Sequence, residues 1–305
     1  MDELRFDGRV AVITGAGRGI GRAYATLLAA RGATVVVNDL GGSSEGIGAD
    51  PEPATAVADG ITARGGSAVP DAHDVATPAG AQALVDAAVD RFGRLDILVN
   101  NAGIIRWAGL PEADEENLEA HLAVHVGGSF HTTRAAWPRM VDQHYGRIVM
   151  TTSAGMFGLP QNLAYATAKG AVVGMTRSLS TAGAPHGIAA NLIAPAAVTR
   201  MAVGAHDSDA SPPEMSPDLV APMVAFLAHE TCPVSGEIYA AGAGRFARIF
   251  LAMTEGYVQT GAAPTVEDVA AHWDAINRET PYSVPADLPA WSDAFLAHQR
   301  AQRAR

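Results

Sequence analysis

Apolar residues fall along the chain in two alternating patterns. Five short runs rich in Val and Ile, RVAVIT (9–14), ATVVVND (33–39), LDILVNN (95–101), GRIVMTT (146–152) and IAANLIAP (188–195), predict buried parallel strands. Between them, apolar positions recur at helical spacing over about 20–31, 53–64, 78–92, 115–142 and 164–182, with a further helix expected near 218–230. This alternation predicts an α/β fold: a doubly wound parallel sheet with helices on both faces. Two polar loops interrupt it, GGSSEGIGADPEP after the second strand and AHDSDASPPEMSPD at 205–218. Beyond residue 246 the pattern is helical, then broken by Pro281, Pro285 and Pro289. One domain over 1–245 is expected, followed by an extension over 246–305 that packs on the same domain or on a neighbouring subunit.

Composition narrows the function. With 305 residues, 48% of them hydrophobic, the chain can bury one sizeable core. A net charge of −11 argues against nucleic acid or an anionic membrane surface as a partner, leaving a small-molecule substrate. Cys232 is the single cysteine, so no internal disulfide can form, and a reducing, cytoplasmic setting is expected. The start MDELRFDGRVAVITG has acidic residues and no apolar core, unlike a signal peptide, and no run approaches the roughly 18 apolar residues of a membrane helix. The histidines show no spacing that suggests a metal; His121, His131 and His144 are read as structural or surface residues.

The first chemical signal is TGAGRGIG (14–21), where the first strand gives way to a helix. Gly15, Gly17, Gly19 and Gly21, with Arg18 and Ile20 between them, form a turn that lets backbone approach a pyrophosphate at the helix N-terminus. Asp39 ends the next strand, where a carboxylate accepts ribose hydroxyls and repels a 2′-phosphate. NAD is therefore expected over NADP, although the charge of Arg18 could attract that phosphate.

Together with HDV (73–75), NNAG (100–103), YATAK (165–169) and NLIAP (191–195), in that order, these residues resemble the short-chain dehydrogenase/reductase family. The resemblance implies that Asp74 and Val75 flank the adenine and that Asn101, Ala102 and Gly103 line the cofactor floor. It also implies that the segment after Pro195, with Val198 and Thr199, covers the nicotinamide. Family members are commonly dimers or tetramers. A narrower likeness runs through VVVNDLGG, HVGGSFHTTRAAWPRM, YGRIVMT, IAPAAVTRM, FLAHETC and GAGRFARI. These resemble the (3R)-hydroxyacyl-CoA dehydrogenase unit of the peroxisomal multifunctional enzymes of type 2, also called 17β-hydroxysteroid dehydrogenases of type four. The chain lacks the hydratase and sterol-carrier domains that follow there, so a stand-alone dehydrogenase is expected.

Tyr165 and Lys169 are four residues apart on a predicted helix and share a face. An ammonium beside a phenol, which ordinarily titrates near about pH 10, favours the phenolate and makes it a usable general base. By the same resemblance Lys169 also holds the cofactor ribose. The hydroxyl that assists Tyr165 is one of three in a row, Thr151, Thr152 and Ser153. In the family a serine commonly lies thirteen residues before the tyrosine and three before a glycine, and both counts land on Thr152. Ser153 is one residue off, and serves if the loop to Tyr165 is a residue shorter than usual. His125 stands where the family usually has a relay asparagine; imidazole can donate and accept, and its titration would add pH dependence.

Substrate signals are thinner. The 201–218 loop, with Met201 and Met215, is placed to be a lid, and Arg106 either meets a CoA phosphate or is an exposed loop residue. The leading expectation is an NAD-dependent oxidoreductase for a 3-hydroxyacyl-CoA or hydroxysteroid. The alternatives are an enzyme for another secondary alcohol, such as a terpenoid or polyol, and a non-catalytic NAD-binding scaffold or sensor.

Overall fold

The computed structural model describes residues 3–201, 212–260 and 263–298. By internal contacts the chain divides into two compact units, 1–248 and 249–305. The first carries an eight-stranded sheet in the order β3-β2-β1-β4-β5-β6-β7-β8. Its strands are β1 Val10–Thr14, β2 Thr34–Asn38, β3 Ser67–Asp71, β4 Ile97–Asn100, β5 Gly146–Thr151, β6 Ile188–Pro195, β7 Ile238–Gly242 and β8 Arg245–Ile249. Neighbours from β3 through β7 pair in parallel. Strands β1, β4 and β5 are fully or nearly fully buried, as both-sided apolar runs require.

The five expected strands are all present, each within a residue or two of its predicted range. Two regions were not foreseen. β3 is an edge strand whose SAVPD sequence has no apolar run and carries Pro70, tolerated where one side needs no ladder bond. β7 and β8 are joined by Ala243 and Gly244, both at positive φ (50° and 74°), the backbone of a two-residue hairpin turn. Arg248 closes that hairpin with a two-pronged ion pair to Glu237.

Helices α1 Gly19–Ala30, α2 Glu52–Ala63, α3 Pro78–Phe92, α4 Glu115–His121, α5 Ser129–Asp142, α6 Leu163–Gly183 and α7 Ala221–Ala228 follow the predicted ranges closely. α1 packs against α2 and α7, while α3 packs on α5, and α6 on α4, as the two separate layers of a doubly wound sheet. The expected single helix over 115–142 has a π-helical stretch at its centre, Leu122–Gly128, which carries His125. Such stretches concentrate at functional sites. Strand order reverses between β1 and β4, so the crevice beyond their C-terminal ends is where an open α/β sheet binds its ligand.

The second unit pairs β9 Met253–Thr254 with β10 Tyr282–Ser283 in antiparallel fashion. It also holds helices α8 Val266–Ala271, α9 Trp273–Ile276 and α10 Leu288–Phe295. A capping box between Thr265 and Asp268 starts α8. No helix among the described residues is long and apolar enough to cross a membrane.

Candidate active site

The turn from β1 into α1 is built for close approach. Gly15 has φ +62°, and a Cβ there would come within 2.8 Å of Ala102 Cα. Thr14 Oγ1 accepts from the N–H groups of Asn101 and Ala102, and Asn101 Nδ2 donates to the carbonyls of Thr14 and Gly15. Thus Asn101 and Ala102 lock the end of β4 to the glycine turn. Helix α1 begins after Arg18 with no side chain capping its first turn and no acidic residue in it, so its first amides remain donors for an anion.

Asp39 is buried beside this turn. One carboxylate oxygen accepts from Gly17 N at 2.8 Å and the other from Gly41 N at 2.7 Å. A carboxylate has about four acceptor sites, so each oxygen can still take a ribose hydroxyl. A Cβ on Gly17 would sit 2.8 Å from Asp39 Oδ2, which accounts for the second glycine of the motif. The uncapped helix end, the glycine cradle and the carboxylate fit a dinucleotide. Val75 is buried against Gly128, Asp74 turns its own loop through Ala76 N, and Asn38 holds that loop through Asp71 Oδ1 and His73 O. On the far side of the crevice, past Pro195 at the end of β6, the Thr199 methyl is the nearest group to Gly19, and Val198 N donates to Met215 O. Residues 202–211 of the expected lid lie outside the described residues.

The loop after β2 crosses the same crevice. Arg18 and Arg200 both donate to Gly42 O, Ile105 N donates to Ser44 O, and Arg106 Nε donates to Glu45 O. Arg106 also pairs with Glu116 at 3.3 Å, so its charge is already engaged. Nothing in the polar GGSSEG stretch announced these contacts, because each is made through its backbone.

The chemistry-bearing side chains converge at the end of β5. Asn162 caps α6, its Oδ1 accepting from Tyr165 N at 3.1 Å. One turn on, Lys169 is buried, with Nζ donating to Thr151 O at 2.9 Å and lying 5.6 Å from the Tyr165 ring centroid. The expected position of Thr152 is corrected here. Its side chain is fully buried and its hydroxyl donates to Lys169 O at 2.7 Å, back into helix α6. Ser153 is the hydroxyl on the Tyr165 side instead: a Cβ on Gly155 would lie 3.4 Å from Ser153 Oγ and 3.5 Å from Tyr165 Cε1, and Ser153 Oγ accepts from Gly155 N at 3.0 Å. Ser153 is still extended (φ −157°, ψ 153°), so its side chain leaves the chain on the side opposite to Thr152. With the serine twelve residues ahead of Tyr165, the segment is one residue shorter than the family spacing, and the register shifts accordingly.

Protonation follows from burial. Desolvation pushes the Tyr165 phenol above its ordinary value, opposed by the nearby Ser153 hydroxyl, while it lowers Lys169 to about 7. The protein's own residues therefore do not favour the phenolate by burial, contrary to the simple ammonium-beside-phenol expectation. What they do provide is a lysine that exchanges its proton near neutrality. His125 is buried and held well below the ordinary histidine range, first by desolvation and then by Lys169. It stays neutral, so the expected pH dependence from its titration is also corrected. His125 Nε2 lies 2.8 Å from Ile104 O and 3.3 Å from Ile104 N; a carbonyl that close requires the proton on Nε2. Its Nδ1 is then a buried acceptor with no protein partner among the described residues, lying against Gly103, where a Cβ would come within 3.0 Å of it.

Lys169 carries a stability prediction. Unfolded, it titrates near about 10.4, so between about pH 7 and that value the unfolded chain binds a proton that the folded chain does not. Stability should rise with pH across this window, by up to about 1.4 kcal/mol per unit. Chemical denaturation of the wild type and of Lys169→Met from about pH 7 to about pH 9 should show that slope only in the former. Equal slopes would refute it.

The family model described as short chain dehydrogenase matches residues 9–210. A Mycobacterium tuberculosis protein named as a short-chain type dehydrogenase/reductase is 42% identical over 273 residues, covering 88% of this chain and 93% of that one. Peroxisomal multifunctional enzyme type 2 of Drosophila melanogaster is 42% identical over 267 residues, 87% of this chain but 44% of that protein. The full-length structure of that Drosophila enzyme superposes with a TM-score of 0.80 at 31% identity, covering 98% of this chain and 50% of that one. A 7α-hydroxysteroid dehydrogenase complexed with NADH and 7-oxo glycochenodeoxycholic acid gives a TM-score of 0.70 at 29% identity, covering 80% of this chain and 98% of that one. The chain belongs to the short-chain dehydrogenase family and is an oxidoreductase acting on CH–OH groups.

Proposed function

We propose that the protein interconverts a secondary alcohol and a ketone with NAD, acting on a 3-hydroxyacyl-CoA or a hydroxysteroid. The observation that carries this reading is that Ser153 and Tyr165 flank Gly155, with Lys169 5.6 Å from the Tyr165 ring, at the same C-terminal edge of the parallel sheet as the Asp39-braced glycine turn. NAD, when bound, supplies the acceptor for the hydride. The remaining work falls to the chain. Ser153 Oγ donates to the substrate oxygen; in the oxidation direction Tyr165 Oη passes its own proton to the Lys169 amine, which is titratable near neutrality, and takes the alcohol's proton, and reduction runs the same transfers in reverse. The uncapped start of α1 holds the pyrophosphate and Asp39 the adenosine ribose. The likeness to multifunctional enzymes and to a 7α-hydroxysteroid dehydrogenase supports a lipid-derived substrate.

A panel of 3-hydroxyacyl-CoAs, free hydroxysteroids, terpenoid alcohols and polyols, assayed with NAD by nicotinamide absorbance, tests the reading. The highest kcat/KM should fall on a thioester or a steroid. Turnover confined to polyols or terpenoids would overturn the substrate class, and no turnover of any would favour a non-catalytic binder.

NAD should be preferred over NADP by tenfold or more. A 2′-phosphate placed about 4 Å from the Asp39 carboxylate is repelled by about 4 kcal/mol per pair of charges at an effective dielectric of about 20. Tenfold requires only about 1.4 kcal/mol. Asp39→Asn removes the charge, keeps an acceptor for Gly17 N, and should narrow the preference. A larger kcat/KM with NADP in the wild type would show that Arg18 outweighs Asp39.

A further inference from the structure

The sequence offers no reason to single out His121, yet it is completely buried in the centre of the site. Its ring lies parallel to that of His125, with centroids 5.9 Å apart and planes 9° apart. Both rings stand perpendicular to Tyr165, at 6.1 Å and 81° for His121 and at 5.4 Å and 88° for His125. The nitrogens of His121 are both used. Nδ1 donates to Asn117 O at 2.8 Å, and Nε2 accepts from Arg106 N at 3.2 Å. His125 holds the same segment two residues earlier, its Nε2 donating to Ile104 O at 2.8 Å. The two imidazoles thus fasten the Ile104–Arg106 backbone to the helix, one at each end.

We propose that His121 is a positioning residue for Tyr165, fixing the ring and the Ile104–Arg106 wall as one unit. The proposal rests on Tyr165 as the acid–base group. A phenol anchored to its helix only at Cα can swing its oxygen by rotation about Cα–Cβ, whereas rotation about Cβ–Cγ turns only the ring plane, because Oη lies on that axis. The perpendicular imidazoles on one flank restrict that swing. A hydrocarbon in place of His121 would fill the space but leave the Arg106 N–H without its acceptor, so the wall would loosen. Burial keeps His121 below its ordinary range, which matches a ring that must present a bare Nε2.

The test is His121→Phe, which keeps a planar ring and deletes both hydrogen bonds. Expected are a fall in kcat of about tenfold, the scale of a small misplacement of reacting groups, and a KM for NAD within about twofold of wild type. Hydrogen exchange followed by mass spectrometry should show faster exchange in the peptide covering 104–107 and unchanged exchange in that covering 10–18. His121→Gln, which can again donate and accept, should recover part of the turnover. Combined with Tyr165→Phe, His121→Phe should cost little more, because its effect passes through the phenol. Wild-type kcat with unchanged 104–107 exchange would overturn the proposal, and so would a full additive loss in the double variant. If His121→Phe exchanges faster everywhere, His121→Gln and His121→Asn decide it by the same measurements. Should Tyr165→Phe retain wild-type turnover, the acid–base reading fails, and the exchange data still report on whether His121 braces the wall.

Discussion

Tyr165→Phe should lower kcat by about 10²- to 10⁴-fold, the usual contribution of a positioned general acid or base. Affinity for NAD should be nearly unchanged. The ring is retained, and with it the packing against His121 and His125; the N-cap bond from Tyr165 N to Asn162 belongs to the backbone. Only the Oη atom is lost. Equilibrium binding of the reduced cofactor, followed by fluorescence, separates the two effects. A variant with near wild-type kcat would exclude Tyr165 as the acid–base group, whatever happened to binding.

The second large effect concerns the two adjacent hydroxyls, and it reverses the ranking that residue counting suggests. Ser153→Ala should reduce kcat by about 10²- to 10³-fold, the scale for removing one donor to a developing oxyanion. Thr152→Val should act on stability. Its hydroxyl is buried and donates to Lys169 O, so an isosteric methyl in its place forfeits a net hydrogen bond and leaves a buried carbonyl less well satisfied, about 1–2 kcal/mol. Per folded molecule, its turnover should stay within a few-fold of wild type. Denaturant midpoints and kcat measured on the same preparations distinguish the two roles. A crippled but fully stable Thr152→Val would restore the family register and refute the assignment of Ser153.

That correction shows where residue counting stops. Tyr165 and Lys169 are close because an α-helix places residues four apart on one face, a local rule that needs no partner. Thr152 and Ser153 are ordered by something longer in range: how far the segment from β5 to α6 extends before Asn162 caps the helix. One residue fewer in that segment moves a different hydroxyl to the mouth, and the alternation of an extended chain sends its neighbour into the helix body. The place of His121 inside the site is not legible in the sequence for a related reason. Its partners, Arg106 and Tyr165, are distant in sequence or belong to another element, so neither composition nor periodicity marks it.

By itself the sequence determined the class of fold, five of the strands, the span of the helices within a few residues and the dinucleotide turn. Each depends on short-range periodicity or on glycines whose backbone geometry is forced where they stand. It did not determine β3, which is polar enough to be missed and exists because β2 leaves an edge for it. Nor did it determine the protonation of the site. Whether Lys169 is a surface ammonium or a group titrating near 7, and whether His125 is a switch or a permanently neutral imidazole, depends on how much water the packed α4–α5 and α6 helices exclude. Desolvation is a property of three-dimensional surroundings, contributed by residues far apart along the chain, and only the tertiary structure assembles them.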